Sequence, residues 1–291
     1  MFNKFKTGFI NIALKFMSVE EKIFRMFLET SPSNVNEIVI LPAVKVVMEN
    51  IVKKLKNKRK YGQVYNGNLN GVEVSVIQSF VGCPHIAERM ESLKYTKCKK
   101  VIRVDFCGGL DYLGEPMEPG KIIIPEFALC GDGTSPYYIL TYYDKFKELE
   151  FIENPIFGLK KVKAGNERIY KVFPSEELYE ILLKNAKELY PEKSMKGPVW
   201  TTDALFCETD EIVEAWIKSE ILGIDMESSL LFLLGQLFNI KTASIISVSD
   251  VPGHKKFDIF KSNHIHPDTF LGVDKAINIV VKSLGQIQNI P

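Results

Sequence analysis

Thr242-Ala243-Ser244-Ile245-Ile246-Ser247-Val248-Ser249 is a run of eight small or apolar residues, without charge and rich in β-branched side chains. An uncharged run of this length, bounded by polar residues, predicts a strand that is buried on both faces of its sheet. Sheets with such strands are parallel or mixed and carry helices on both sides. The segment therefore predicts an α/β fold.

Shorter apolar runs precede this strand and alternate with helical patterns. Strands are predicted at residues 37–41, 64–65, 72–77, 100–104 and 121–125, and helices at 46–56, 84–93, 175–189, 210–217, 226–237 and 271–284. The turn-rich residues 66–71 predict a hairpin, and Ser175 before an acidic first turn predicts a partial capping box. No repeat or linker divides the chain. We expect a helical extension over residues 1–30 and a single α/β domain over residues 31–291.

The charge balance excludes one class of partner. The chain has 291 residues, with 37 Lys and Arg against 36 Asp and Glu. Proteins that bind nucleic acids usually show a basic excess or stripe, so we expect no nucleic-acid partner. The local basic run at residues 53–60 is interpreted as a solvated helix end, since such runs usually face water.

The spacing of cysteine and histidine residues argues against disulfides and metal sites, and we expect no cofactor. The five cysteines are scattered without a Cys-x-x-Cys pair, which is typical of reduced thiols in the cytoplasm. His264-Ile265-His266 has metal-site spacing but no second ligand pair, so a surface loop is the interpretation.

The N-terminal residues 1–16 alternate apolar and lysine side chains. Lys15 interrupts the apolar run, which argues against a signal peptide, and no stretch reaches the ~18 apolar residues that span a bilayer. We expect an amphipathic helix packed on the body or on a neighbouring subunit, with membrane attachment as the minor alternative.

In α/β sheets a ligand binds beyond the carboxyl ends of the strands. The turns after Ile77, Val104 and Val248 and the helix entry at Met226 are therefore expected to build the site. Gly223-Ile224-Asp225-Met226-Glu227-Ser228-Ser229 places carboxylates at a helix start, where an acidic residue alone is usually a dipole partner. Ser247-Val248-Ser249-Asp250 ends a buried strand in a carboxylate, which is equally compatible with a helix cap.

Together these two segments resemble the purine nucleoside phosphorylase and uridine phosphorylase superfamily, which has Val-Glu-Met-Glu before a helix and, in its purine branch, a strand ending Val-Ser-Asp. The resemblance extends to Val81-Gly82-Cys83-Pro84-His85, residues 102–110, residues 118–125, Asp132-Gly133-Thr134-Ser135 and residues 201–206. It implies a single domain whose central mixed β-sheet curls into a partial barrel flanked by helices. It also implies a homo-oligomer (dimer, trimer or hexamer).

The resemblance implies a role for individual residues. Glu227 would bind the ribose hydroxyls, Met226 would pack on the sugar, and Asp250 would protonate N7 of a departing purine. Further substrate contacts are expected from Asp225, Ser249, Val81 and Leu205 or Phe206, and phosphate contacts from Arg103, Lys45 and Lys60. A carboxyl that protonates the leaving base contributes about 10²–10⁴-fold, and an apolar pocket raises its pKa as this role requires.

The chain departs from the family at the phosphate site. Leu41-Pro42-Ala43-Val44-Lys45 replaces Pro-Gly-Asp-Pro-x-Arg, and Asp105 and Phe106 replace Gly and Ser or Thr. At an effective dielectric of 20, unit charges about 4 Å apart interact by about 4 kcal/mol, so losing Arg and gaining Asp lowers phosphate affinity.

Three functions therefore stay open. The first is a purine nucleoside phosphorylase-like pentosyltransferase of purine salvage, with phosphate as co-substrate. The second is a hydrolytic nucleosidase that uses water, and the third is a non-catalytic nucleoside-binding paralogue.

Overall fold

The computed structural model describes residues 14–161 and 165–291. The strands are β1 (Ile38–Ile40), β2 (Lys56–Tyr61), β3 (Val64–Leu69), β4 (Val72–Ile77), β5 (Lys100–Gly109), β6 (Ile122–Cys130), β7 (Phe151–Glu153), β8 (Arg168–Val172), β9 (Ser194–Thr201), β10 (Gly223–Asp225) and β11 (Lys241–Asp250). The helices are α1 (Val19–Leu28), α2 (Lys45–Lys54), α3 (Cys83–Leu93), α4 (Ser135–Thr141), α5 (Tyr143–Phe146), α6 (Glu176–Leu189), α7 (Asp210–Lys218), α8 (Ser228–Phe238) and α9 (Asp268–Gln288).

Five strands close into a barrel. β11 pairs with β5 in parallel and with β6 antiparallel. β6 continues in parallel to β9, β9 continues in parallel to β10, and β10 returns antiparallel to β5. The sheet extends beyond the ring through β1, β4, β3 and β2 on one side and β8 and β7 on the other. The predicted α/β fold with a curled mixed sheet is confirmed.

β11 lies at the centre of this arrangement. Residues 242–248 are buried without interruption, and α8 and α9 pack against the strand. Ala243 and Ile245 belong to one hydrophobic cluster, whereas Ile246 and Val248 belong to another. Both faces of β11 are therefore in the core, which explains why its sequence carries no alternation of apolar and charged residues.

The basic segment differs from its prediction. α2 ends at Lys54, and Lys56–Tyr61 forms β2, which pairs with β3 at the edge of the sheet. The prediction of a helix end was wrong there, although residues 56–60 are exposed as expected. Charged side chains on an edge strand hinder pairing with further chains.

Two local predictions were also wrong in detail. β3 extends to Leu69, so that only Asn70 and Gly71, both with positive φ, form the hairpin turn. Asn-Gly is the usual dipeptide for such a turn. Ser175 precedes α6 without capping it, because its hydroxyl oxygen accepts the Thr242 N–H at 2.9 Å instead.

The N-terminal helix α1 packs on the domain. Phe24 and Leu28 are buried in the same hydrophobic cluster as Ile86 and Met90 of α3, and the guanidinium of Arg89 donates to the carbonyl oxygen of Phe27. The boundary predicted at residue 30 stays a prediction. Most of the predicted helix over residues 1–16 lies outside the described residues.

Three further features concern membranes, metals and thiols. Within residues 14–161 and 165–291, no helix is both long and apolar enough to cross a bilayer. In the same ranges, no three His, Cys, Asp or Glu side chains converge as metal ligands. Cys83, Cys98, Cys107 and Cys130 are buried free thiols, and Cys207 is an exposed one.

Candidate active site

A cavity of about 270 Å³ opens at the carboxyl ends of β5, β10 and β11. All four segments expected to build a site line it, through Val81, residues 105–108, residues 224–227 and residues 249–250. Two loops complete it, with Leu205 and Glu208 in one and Ile259 and Phe260 in the other. Closure of the barrel brings these segments together, because β5 pairs with β11 on one side and with β10 on the other.

Glu227 lines the cavity at the position where α8 begins. Its Oε1 accepts the Gly82 N–H at 2.8 Å, and its Oε2 accepts a hydrogen bond from Nη2 of Arg103. Burial raises the pKa of Glu227 to about 7, against the opposing effect of Arg103. The carboxylate is thus fixed in orientation before any ligand binds.

Gly82 supplies its N–H from a special backbone conformation. Its φ is +104°, in the region that side chains other than glycine's rarely adopt. This conformation begins α3 and places the N–H beside Glu227. A residue with a side chain would rarely adopt this backbone conformation, so glycine at position 82 allows the hydrogen bond to Glu227.

Arg103 links Glu227 to Asp225. Its Nη1 donates to Oδ2 of Asp225 at 3.0 Å, and the side chain is almost fully buried. Burial by itself lowers the pKa of Arg103, but Glu227, Asp225 and Asp105 outweigh it and raise the pKa. Both terminal nitrogens are engaged by carboxylates, and the predicted phosphate contact stays a prediction.

Asp225 holds the start of α8 in place. Its Oδ2 also accepts the Ser228 N–H at 3.0 Å, and its Oδ1 accepts the Thr201 hydroxyl at 2.7 Å. These bonds tie α8 to the ends of β9 and β10. Asp225 lines the cavity as predicted for a substrate contact, but its bonds position Glu227 and Arg103.

Asp250, the last residue of β11, also lines the cavity. Its Oδ1 accepts the Ser249 hydroxyl at 2.6 Å, and its Oδ2 faces the Ile259 N–H at 3.4 Å. Burial raises the pKa of Asp250, and these two hydrogen bonds oppose the shift. A carboxyl with a raised pKa holds its proton at higher pH, which is the property that a general acid needs.

Glu208 is a second carboxyl group that lines the cavity, near Asp250. The sequence analysis did not predict it as a site residue. Burial, followed by the charges of Asp250 and Asp258, raises the pKa of Glu208 to about 8. Asp258 holds the neighbouring loop by accepting the Gly253 and Phe260 N–H groups at 3.0 and 2.8 Å. Nothing in the local sequence distinguishes Glu208 from a surface glutamate, because two distant loops produce its burial.

Asp105 lies beside Arg103 and lines the cavity between β5 and α2. Its Oδ2 accepts the N–H groups of Ala43 and of Val44, the latter at 3.1 Å. Its Oδ1 accepts the Phe106 N–H at 2.9 Å. The departure from the family pattern noted at this position is thus a buried carboxylate bonded to three backbone donors.

The remaining predicted residues divide into two groups. Met226, Ser249, Leu205 and Val81 line the cavity. Phe206 is 85% exposed and lies outside the lining, with its ring 5.6 Å from that of Phe260. Lys45 is also outside, exposed and paired with Glu49 at 3.8 Å, and Lys60 lies on the exposed edge strand with its ammonium over the Tyr65 ring.

Comparison with known proteins identifies the family of this chain. A family model described as the phosphorylase superfamily matches residues 37–275. The chain belongs to the phosphorylase superfamily. The match includes every residue named above for the cavity, and the predicted family is confirmed.

Individual superfamily members are distant from this chain. A guanosine phosphorylase of Halorubrum lacusprofundi is 24% identical over 233 residues, covering 77% of this chain and 83% of the relative. The structure of a uridine phosphorylase from Vibrio fischeri superposes with a TM-score of 0.64 at 22% identity, covering 89% and 93% of the two chains. A purine nucleoside phosphorylase from Toxoplasma gondii gives 0.65 at 19% identity, covering 88% and 92%. At these identities the two structures show a shared fold.

Proposed function

We propose that this superfamily member cleaves the N-glycosidic bond of a nucleoside and prefers purine nucleosides. The observation that carries the proposal is one cavity of about 270 Å³ that is lined both by the Asp250 carboxyl, whose pKa burial raises, and by the fixed carboxylate of Glu227. Breaking this bond develops positive charge on the sugar and negative charge on the base. The Glu227 carboxylate suits the positive charge on the sugar, and the Asp250 carboxyl suits the negative charge on the base.

Each residue has a distinct task in the proposed reaction. Glu227 accepts hydrogen bonds from the ribose hydroxyls, and its negative charge favours the developing sugar cation. Met226 packs against the sugar, and Leu205, Ile259 and Phe260 cover the base. Asp250 gives its proton to the departing base, for which N7 of a purine is the acceptor that the family's purine branch uses.

Two nucleophiles are candidates for the sugar carbon. The named relatives are phosphorylases, so family membership favours phosphate. Water is the second candidate, and one observation favours it. Among the described residues that line the cavity, Arg103 is the one Lys or Arg, and two carboxylates already engage it.

The test is incubation of the protein with inosine, guanosine, adenosine and uridine, followed by chromatography of free base. We expect base release from purine nucleosides to exceed release from uridine. A preference for uridine would contradict the purine assignment. Tight nucleoside binding without base release under any buffer condition would make the chain a binding protein.

A further inference from the structure

The start of α2 is an anion-binding position that the chain fills by itself. α2 has ten residues, no acidic residue in its first turn, and a valine at its N-cap whose side chain accepts no hydrogen bond. Helix starts of this kind favour an anion, because their N–H groups are unpaired and the helix dipole adds positive potential. Here the carboxylate of Asp105 on β5 accepts the N–H of Val44, the N-cap residue, and the N–H of Ala43 directly before it.

Burial raises the pKa of Asp105, whereas Arg103 and the backbone N–H donors at its carboxyl group oppose this shift and favour the ionised form. The three backbone partners of Asp105 are N–H donors of Ala43, Val44 and Phe106. The side chain is 1% exposed, and its carboxylate lies against residues 43 and 44, where the chain enters α2. An external anion could reach these donors only by displacing it.

The charge around this position also opposes an external anion. Arg103 is followed two residues later by Asp105, and its guanidinium is shared between Asp225 and Glu227. One cation therefore faces three carboxyl groups within a buried region. Phosphate would add one or two further negative charges where water cannot screen them.

We propose that the Asp105 carboxylate replaces the phosphate co-substrate at the start of α2, so that water is the nucleophile in the reaction of this chain. The inference rests on the proposed nucleoside cleavage. A water oxygen forms a bond to the sugar carbon as the bond from that carbon to the base nitrogen breaks. The base leaves with the Asp250 proton, the water loses a proton to solvent, and Asp250 is reprotonated. The products are free ribose and free base.

The first experiment uses the wild-type protein. Base release from inosine is measured in phosphate-free buffer and with millimolar phosphate, and the sugar product is identified by chromatography. We expect the same rate in both buffers and free ribose as the product. A rate increase of about tenfold or more on adding phosphate, equivalent to about 1.4 kcal/mol, or ribose 1-phosphate as the product, would overturn the inference.

The second experiment uses two substitutions at the same position. Asp105→Ser removes the carboxylate and exposes the helix N–H groups, so we expect phosphate binding by calorimetry without nucleoside, where the wild type shows none. Asp105→Asn fills the same volume, and its single amide oxygen can still accept the N–H groups of Ala43 and Val44, so it should stay without phosphate binding. Phosphate binding to the wild type, or equally tight binding to both variants, would contradict occupancy by Asp105.

The outcomes separate the inference from the proposed function. Base release that requires phosphate refutes the role of Asp105 and leaves nucleoside cleavage standing. Absence of base release in either buffer refutes the cleavage itself. If the serine variant does not fold, as judged by circular dichroism, the rate and the sugar product of the wild-type protein with and without phosphate still decide the question.

Discussion

Replacement of Glu227 by glutamine tests the sugar-binding part of the cavity. The substitution keeps the shape of the side chain and removes its charge. A hydrogen bond to a charged group contributes about 1.5–3 kcal/mol. Losing it should weaken nucleoside binding roughly ten- to hundredfold.

The structure explains why glutamine is a better probe than alanine. Glu227 is buried, and its two oxygens accept from Gly82 and Arg103. Alanine would leave the Arg103 guanidinium with Asp225 alone, and breaking a buried ion pair costs about 3–5 kcal/mol. That is a large part of a total stability of about 5–15 kcal/mol. Glutamine keeps one acceptor and leaves one donor unsatisfied, at about 1–3 kcal/mol.

The assay combines calorimetric titration of inosine with thermal unfolding. We expect the Glu227→Gln protein to be folded, with a Tm lower by a few degrees and a much weaker affinity for inosine. Glu188→Gln is the matched control, because it removes the same charge from an exposed pair with Lys282, 2.7 Å away. Wild-type affinity in a folded Glu227→Gln protein would refute the assignment of Glu227 to the sugar.

Three other predictions concern Asp250, Glu208 and assembly. Asp250→Asn keeps the acceptor for the Ser249 hydroxyl but has no acid proton, so turnover of inosine should fall by about 10²–10⁴-fold with little change in binding. Equal turnover in the variant and the wild type would make Asp250 a structural residue. The wild-type rate should also decline as rising pH deprotonates this carboxyl, whose pKa is raised by burial. Glu208 has a pKa of about 8 in the folded protein and an ordinary value when unfolded, so between these values rising pH deprotonates the unfolded state first and lowers stability. Glu208→Gln should therefore raise Tm more at pH 9 than at pH 4, and a pH-independent difference in Tm would contradict the burial of its charge. Light scattering at micromolar concentration should show a dimer, trimer or hexamer, an expectation supported by Tyr137 and Leu140, each 74% exposed; a strict monomer would refute it.

Much of the fold is predictable from local sequence. A strand buried on both faces needs continuous small or apolar residues, and residues 242–249 supply them, so β11 and the α/β class follow from composition. Met226, Glu227 and Asp250 occur in short motifs next to a predicted helix start and a predicted strand end, and the resemblance to the family assigned their roles. The basic run was misinterpreted because pairing with β3, a contact outside the run itself, decides that Lys56–Tyr61 is a strand.

The state of the candidate site depended on the tertiary structure. In the sequence, Asp105 stands where the family has glycine. Only the tertiary structure shows that its carboxylate accepts the N–H groups of residues 43 and 44, about sixty positions away. In the same way, Glu227 is half of a buried ion pair because Arg103 reaches it from β5, and Glu208 holds its proton because two loops bury it beside Asp250. Hydrogen bonding and desolvation are set by whichever groups meet in space, so residue identity and order fix which carboxyls are present, and tertiary packing determines their charge and their partners.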